Sequence, residues 1–416
     1  MERLIFHIDV NSAFLSWEAT RRVAKGEADL RLIPSAIGGD REKRRGVILA
    51  KSIPAKQFGV TTGEPVAMAL LKCPNLYLAK PDFRLYEECS QAFLQNCRFY
   101  APVVDRYSID ECFLDMTGTG RLYPDPVAIA HTIKDEIRDT LGFTVNVGVG
   151  SNKLLAKMAS DFEKPDRVHT LFSHEIEEKL WPLPVRDLFS VGHSTAEKLQ
   201  ALNLHTIGEL ARVSEAHLQG IVGEKFGSQL YRFARGIDDS PVETEVREAK
   251  GYSNSITLDH DVTNREEAHR ILLALTDSVA TRMRMDGAKT ECVAVTIRSS
   301  EFCDSSRQIK LNEPTDITSE LFRHAGRAFD LLWNGRMPLR LLGVSLNQVS
   351  KEGTVQLTLF ENDNRERARK VDRVVDSIRE RFGSDVIVRG TTYRSDLDIG
   401  KKHRAQIEKG SPVPKK

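Results

Sequence analysis

No stretch of the 416-residue chain is apolar for long enough to cross a bilayer, and the opening MERLIFHIDVNSAF lacks the basic and apolar regions of a secretion signal. These absences point to a cytoplasmic protein with no membrane partner. The six cysteines (Cys73, Cys89, Cys97, Cys112, Cys292, Cys303) include no C-x-x-C pair and do not cluster with histidine. That spacing indicates neither a zinc site nor a disulfide framework and leaves them as small buried residues. An excess of one charge is missing too. The net charge is only +1, so composition carries no signature of a nucleic-acid binder, although positive charge can still gather on one face. From Glu361 onward fifteen Lys and Arg stand against ten Asp and Glu, a basic tail suited either to a phosphate backbone or simply to solubility. What is present is the balance of a folded protein, 40% hydrophobic and 29% charged, with a length that fits two to four domains.

The run LIFHIDV reads as a short buried strand feeding a helix, NSAFLSWEATRRVAKG, that an Asn or Ser cap opens. Asp9 falls at that junction. Residues 33 to 78 hold two short strand candidates, SAIGG and GVILAKS, and a small helical stretch, as an inserted subdomain would. Helical spacing over 82 to 100 precedes VVDRYS and ECFLDMT, two strands joined closely enough for a hairpin. A helix, the strand FTVNVGVG and a further helix, SNKLLAKMASDF, complete a mixed α+β sheet domain. From Pro182 to about Gly236 short helices alternate with glycines. Residues 251 to 350 then read strand, helix, strand, strand, helix, strand, the split βαβ order, with Ala268, Ile271, Leu272, Leu275, Val279 and Met283 on one helix face. One amphipathic helix, ERARKVDRVVDSIRERFG, lies in the tail.

Asp110 and Glu111 would face opposite sides of a sheet in mid-strand, but between two strands both can project from the sheet end toward the point that Asp9 reaches. Three carboxylates without a His or Cys cluster favour Mg2+, or Mn2+, over zinc. A pair of such ions stabilises the attacking and leaving oxygens of a phosphoryl displacement. Any one acid at a strand end is more often solvated or capping a turn. The phrase GVGSNKLLAK lacks the G-K-[ST] ending of a Walker loop.

HIDVNSAF, GVILAKSIPAKQFGVTTGEP, YSIDECFLD and NVGVGSNKLLAKMASDFEKPD occur in the order and spacing of DinB-type Y-family translesion DNA polymerases, which the first 165 residues therefore resemble. The resemblance implies a multi-domain α+β fold in the form of a right hand: a ferredoxin-like palm (1–10 and 79–165), small fingers (11–78), a helical thumb with helix-hairpin-helix turns (166–240), a βαββαβ little finger (241–350), and a clamp-binding peptide with the basic tail (351–416). It implies that Asp9, Asp110, Glu111 and the carbonyl of Val10 bind two metal ions. It further implies that Phe14 is a steric gate against ribose and that Lys164 reaches the triphosphate of an incoming deoxynucleotide. Asp115, offset along its strand, is taken as structural. In the fingers the family's tyrosine and arginine are replaced by Ile53 and Lys56, which removes one donor and the bidentate fork while keeping a charge at Lys56.

Gly220 and Gly223 in HLQGIVGEKFG, and Gly192 in FSVGHSTAEKL, have the spacing of hairpins that let backbone amides approach a DNA phosphate, with Ser190 where the family usually has glycine. Gln356, Leu357, Leu359 and Phe360 in QLTLF resemble the bacterial sliding-clamp pentapeptide. The expected protein is a monomeric, low-fidelity DNA polymerase that acts on primer–template DNA. A catalytically silent DNA-binding relative and a palm-like cyclase are the rivals; the intact acids oppose the first, and the hairpins and clamp peptide oppose the second.

Overall fold

The computed structural model describes residues 3–39, 46–243, 248–351, 363–383 and 386–390. They fall into two compact units, one ending at residue 243 and one beginning at 248. The first opens on β1 (Ile5–Val10), all six residues buried, and α1 (Ala13–Ala24). Ser12 stands at the start of α1 in the left-handed region, but its side chain makes no capping bond, contrary to the cap expected there. The strands β2 (Ser35–Gly38), β3 (Ile48–Lys51) and, after α2 (Ile53–Gln57) and α3 (Val66–Lys72), β4 (Tyr77–Ala79) form a small sheet in the order β3-β2-β4. A separate core of Ile48, Val60, Val66 and Leu76 supports it.

The chain returns through α4 (Phe83–Tyr100), the hairpin of β5 (Val103–Arg106) and β6 (Glu111–Asp115), α5 (Pro126–Leu141), β7 (Val145–Gly150), α6 (Lys153–Ser160) and β8 (Val168–Leu171). The main sheet runs β5-β6-β1-β7-β8. Both β6 and β7 are antiparallel to β1 between them, so β6, α5 and β7 make a split βαβ unit. The sheet continues beyond residue 165 because β8 pairs in parallel with β7; four residues, VHTL, are too short a run to announce a strand.

Side chains alternate across β1. Phe6, Ile8 and Val10 pack with Tyr86, Phe93, Ile133 and Ile137 of α4 and α5. His7 and Asp9 face the other way. On that side α6 approaches the sheet closely over Gly148 and Gly150: a Cβ at Gly148 would lie 1.9 Å from the Ala156 carbonyl oxygen, and one at Gly150 would lie 2.7 Å from the Ala156 nitrogen. The GVG of this segment is thus a helix-packing surface.

Four helices follow, α7 (His193–Gln200), α8 (Ile207–Ala211), α9 (Glu215–Val222) and α10 (Glu224–Phe233). Gly223 joins α9 to α10 at φ +93° and ψ 155°, a region open essentially to glycine alone. A Cβ on Gly227 would come within 2.5 Å of the Gln219 backbone, so this glycine sets how closely the two helices cross. Gly192 and Gly220 have open space beside them. Ser190 has φ +76°, which explains why glycine suits that position better.

The second unit contains β9 (Gly251–Val262), α11 (Arg265–Met285), β10 (Lys289–Ser299), β11 (Asp304–Thr315), α12 (Thr318–Leu332) and β12 (Leu339–Ser350). Its antiparallel sheet has the order β11-β10-β12-β9, so two split βαβ units interlock, β9 and β10 around β12, β11 and β12 around β10. The six apolar residues expected on one face of α11 are all buried. The tail helix α13 (Asp363–Phe382) docks on this unit through Arg284–Asp376, Arg379–Asp277 and Arg369–Asp316 ion pairs.

Cys303 is exposed and Cys89 half-buried, so burial of all six cysteines does not hold. Cys303 lies in the turn between β10 and β11, where there is no core to enter. Among the described residues no helix is long and apolar enough to cross a membrane.

Candidate active site

The antiparallel register of β1 and β6 makes Asp9 and Glu111 direct cross-strand partners. Directly opposed residues share a face with Cβ atoms about 5 Å apart, which brings the two carboxylates together at one end of the sheet. Asp110 precedes β6 in a tight turn. Its carbonyl accepts from the Val10 amide at 3.0 Å, and the Ser108 hydroxyl donates to its Oδ1 at 2.6 Å. Asp115 occupies the opposite end of β6 and receives the Thr117 amide at 2.9 Å, a turn-capping role.

Basic groups converge on the two paired acids. Lys164 forms an ion pair with Asp9 and a second, at 2.8 Å, with Asp161. Lys157 reaches Glu111 Oε2 at 2.6 Å, and His7 Nε2 lies 3.1 Å from the same oxygen. Burial pushes Asp9 up to about 6 despite Lys164. Burial also acts to raise Glu111, but the hydrogen bonds from His7 and Lys157 outweigh it and hold this carboxyl at about 2. His7, enclosed entirely, is lowered by burial to about 4 and is neutral at physiological pH.

The Lys164 segment is fixed from below. Asn11 donates to Asn146 Oδ1 at 3.1 Å and accepts the Asp166 amide at 2.9 Å, while Asn146 donates to the Ser160 and Glu163 carbonyls. Asn11 therefore ties β1 to the loop instead of capping α1. Phe14 is half-buried, stacked on Tyr86 with centroids 4.6 Å apart and edge-on to Phe83. In the small sheet unit Ile53 is 56% exposed and Lys56 is exposed. Burial and the charge of Lys56 lower the pKa of Lys51.

His7, Lys51, Asn146 and Lys157 were not foreseen from sequence. The signal for His7 was its i, i+2 relation to Asp9, which puts both on one strand face. Lys157 could be found only from the packing of α6. Among the described residues no three His, Cys, Asp or Glu side chains stand together at metal-binding distance. The donor set nevertheless suits a hard cation: carboxylate oxygens without thiols, and ammonium groups of Lys157 and Lys164 already placed where positive charge is favoured. Gln356, Leu357, Leu359 and Phe360 lie outside the described residues.

A model of the impB/mucB/samB family matches residues 8–161, and that of its C-terminal domain matches 249–359. A DNA polymerase IV of Clostridium acetobutylicum is 42% identical over 397 residues, which cover 95% of this chain and 100% of the relative. The chain belongs to the DinB-type Y-family of DNA polymerases. Other Y-family relatives include DNA polymerase IV of Acetivibrio thermocellus, 37% identical with 94% and 97% of the two chains covered, and DNA polymerase IV 1 of Bacillus subtilis, 34% identical with 95% and 94% covered. A model described as the thumb domain of DNA polymerase-iota matches residues 186–238. A solved Y-family DNA polymerase chimera shares the fold, with a TM-score of 0.72 at 20% identity over 84% of this chain and 100% of that one. As a Y-family member the chain is a DNA-directed DNA polymerase of translesion synthesis; it binds primer–template DNA and depends on divalent metal.

Proposed function

We propose that Asp9, Asp110, Glu111 and the Val10 carbonyl form the catalytic metal site, for two Mg2+ ions or Mn2+ in their place. The cross-strand pairing of Asp9 with Glu111 at one sheet end carries this reading. Bound there, the ions supply stabilisation of the attacking and leaving oxygens in nucleotidyl transfer. The protein's own groups prepare the site. Lys164 and Lys157 neutralise the two acids before metal arrives, and Lys164 is free in charge to turn to the triphosphate of a deoxynucleotide once Asp9 is otherwise satisfied. Lys51 beside Lys56 gives the fingers a second cation, which offsets in charge, though not in geometry, the missing arginine fork.

The main sheet with α4–α6 serves as palm, the small sheet as fingers, the helices α7–α10 as thumb and the second unit as little finger. The open backbone at Gly192, Gly220 and Gly223 suits contact with duplex phosphates. Phe14, held by its stack on Tyr86 rather than sunk in the core, is placed to act as the sugar gate. Phe14→Ala should admit ribonucleotides in primer extension, with discrimination falling by at least tenfold and deoxynucleotide use largely kept; unchanged sugar selectivity removes the assignment. The QLTLF segment is proposed as a sliding-clamp anchor that raises local concentration at the primer end. Replacing Leu359 and Phe360 together by Ala should abolish capture by a bacterial clamp without slowing basal extension, and retained capture would exclude the anchor.

A further inference from the structure

Both protein donors to Glu111 meet the same oxygen. His7 Nε2 and Lys157 Nζ approach Oε2 at 3.1 and 2.6 Å, and no hydrogen bond from a described residue reaches Oε1. The His7 ring is fully buried, lies against Phe113 with centroids 4.6 Å apart, and has its other nitrogen, Nδ1, 2.7 Å from the Ser160 hydroxyl. A neutral imidazole carries one N–H. Were it on Nδ1, a lone pair on Nε2 would confront an ionised carboxylate oxygen. With the proton on Nε2, His7 donates to Glu111 Oε2, and the single proton of the Ser160 hydroxyl has two acceptors within reach, Nδ1 at 2.7 Å and the Lys157 carbonyl at 2.8 Å. The carboxylate therefore places the proton on Nε2.

We infer that His7 is a positioning residue that holds Glu111 by Oε2 and leaves Oε1 as the oxygen offered to the divalent cation. This rests on the reading of Glu111 as a metal ligand. A buried donor suits such a role, because a hydrogen bond to one carboxylate oxygen fixes the direction of the other, as outer partners of metal-bound carboxylates commonly do. Lys157 and Ser160 both sit on α6, so the approach of that helix over Gly148 sets how close they come to Glu111 and His7.

The test is Mn2+ binding to the full chain, followed by electron paramagnetic resonance of the free ion, together with the Mg2+ concentration that half-saturates primer extension. His7→Phe keeps a ring but no donor and should weaken Mn2+ affinity by roughly 10- to 100-fold. His7→Gln, which restores an N–H near the same place, should recover most of that loss. Thermal unfolding of each variant separates this effect from misfolding, since His7→Gln disturbs the pocket as much as His7→Phe does. Unchanged Mn2+ affinity in His7→Phe, or no recovery in His7→Gln, overturns the positioning role. Glu111→Gln measured alongside separates the two ideas: if it too leaves Mn2+ affinity intact, the ligand assignment fails, whereas lost affinity there with none lost in His7→Phe defeats positioning alone.

Discussion

Asp110→Ala and Glu111→Gln should each slow primer extension by roughly a thousandfold or more, because a metal ligand supplies several kcal/mol of charge stabilisation and each ~1.4 kcal/mol is a factor of ten. The two changes probe different supports. Asp110 is held by Ser108 within the short turn between β5 and β6, so removing its carboxylate leaves the strands undisturbed. Glu111→Gln keeps the size of the side chain and loses the charge that Lys157 faces. Both variants should keep the wild-type circular dichroism spectrum and, at low salt, primer–template affinity within a few-fold. Extension by either variant at more than a tenth of the wild-type rate would remove that residue from the site.

Asp277→Ala is expected to have the largest effect on stability. Its carboxylate meets Arg379 at 2.7 Å and Arg389 at 3.1 Å, and the side chains of Asp277 and Arg379 are only 12% and 8% exposed. An exposed pair would contribute little, but removing one member of a buried pair strands the other and costs about 3–5 kcal/mol. The neighbouring pairs compound this, because Arg389 also reaches Asp372, which in turn accepts the Thr318 amide and sits 3.6 Å from Arg284. Calorimetry on the intact chain should resolve a melting transition lowered by roughly 10 °C. A fall of less than about 2 °C would mean that α13 contributes little to the second unit.

The contrast between α11 and α13 explains much of what was legible. In α11 the apolar residues at helical spacing are all buried, so hydrophobic spacing located the helix and that face, though not the buried Thr276, Asp277, Ser278 and Thr281 beside it. In α13 the same kind of spacing misleads. Val371, Val374 and Phe382 are more than half exposed, while Asp372 and Arg379 are buried, because the acids and arginines of α11 and α12 offer partners that an isolated sequence does not display. Three arginines of the basic tail, Arg365, Arg369 and Arg379, are accordingly paired with acids of their own unit. The meeting of Asp9 with Glu111 at one sheet end was readable because strand ends and motif spacing are local features. His7, Lys157 and Asn146 were not, since their contacts span 104, 46 and 135 residues respectively. Ser190 shows the limit from the other side: the odd residue was visible, but its left-handed backbone was not.

Gly148 and Gly150 contribute no atom to any of these contacts, yet they fix the lever arm of the site. A lysine side chain has one length. With two methyl groups interposed, α6 would ride higher on β7, and the ammonium of Lys157 and the hydroxyl of Ser160 would be lifted off Glu111 and His7 together. The electrostatics of Glu111 are thus calibrated by the thickness of a helix-to-sheet gap, a mechanical tolerance set by two missing side chains.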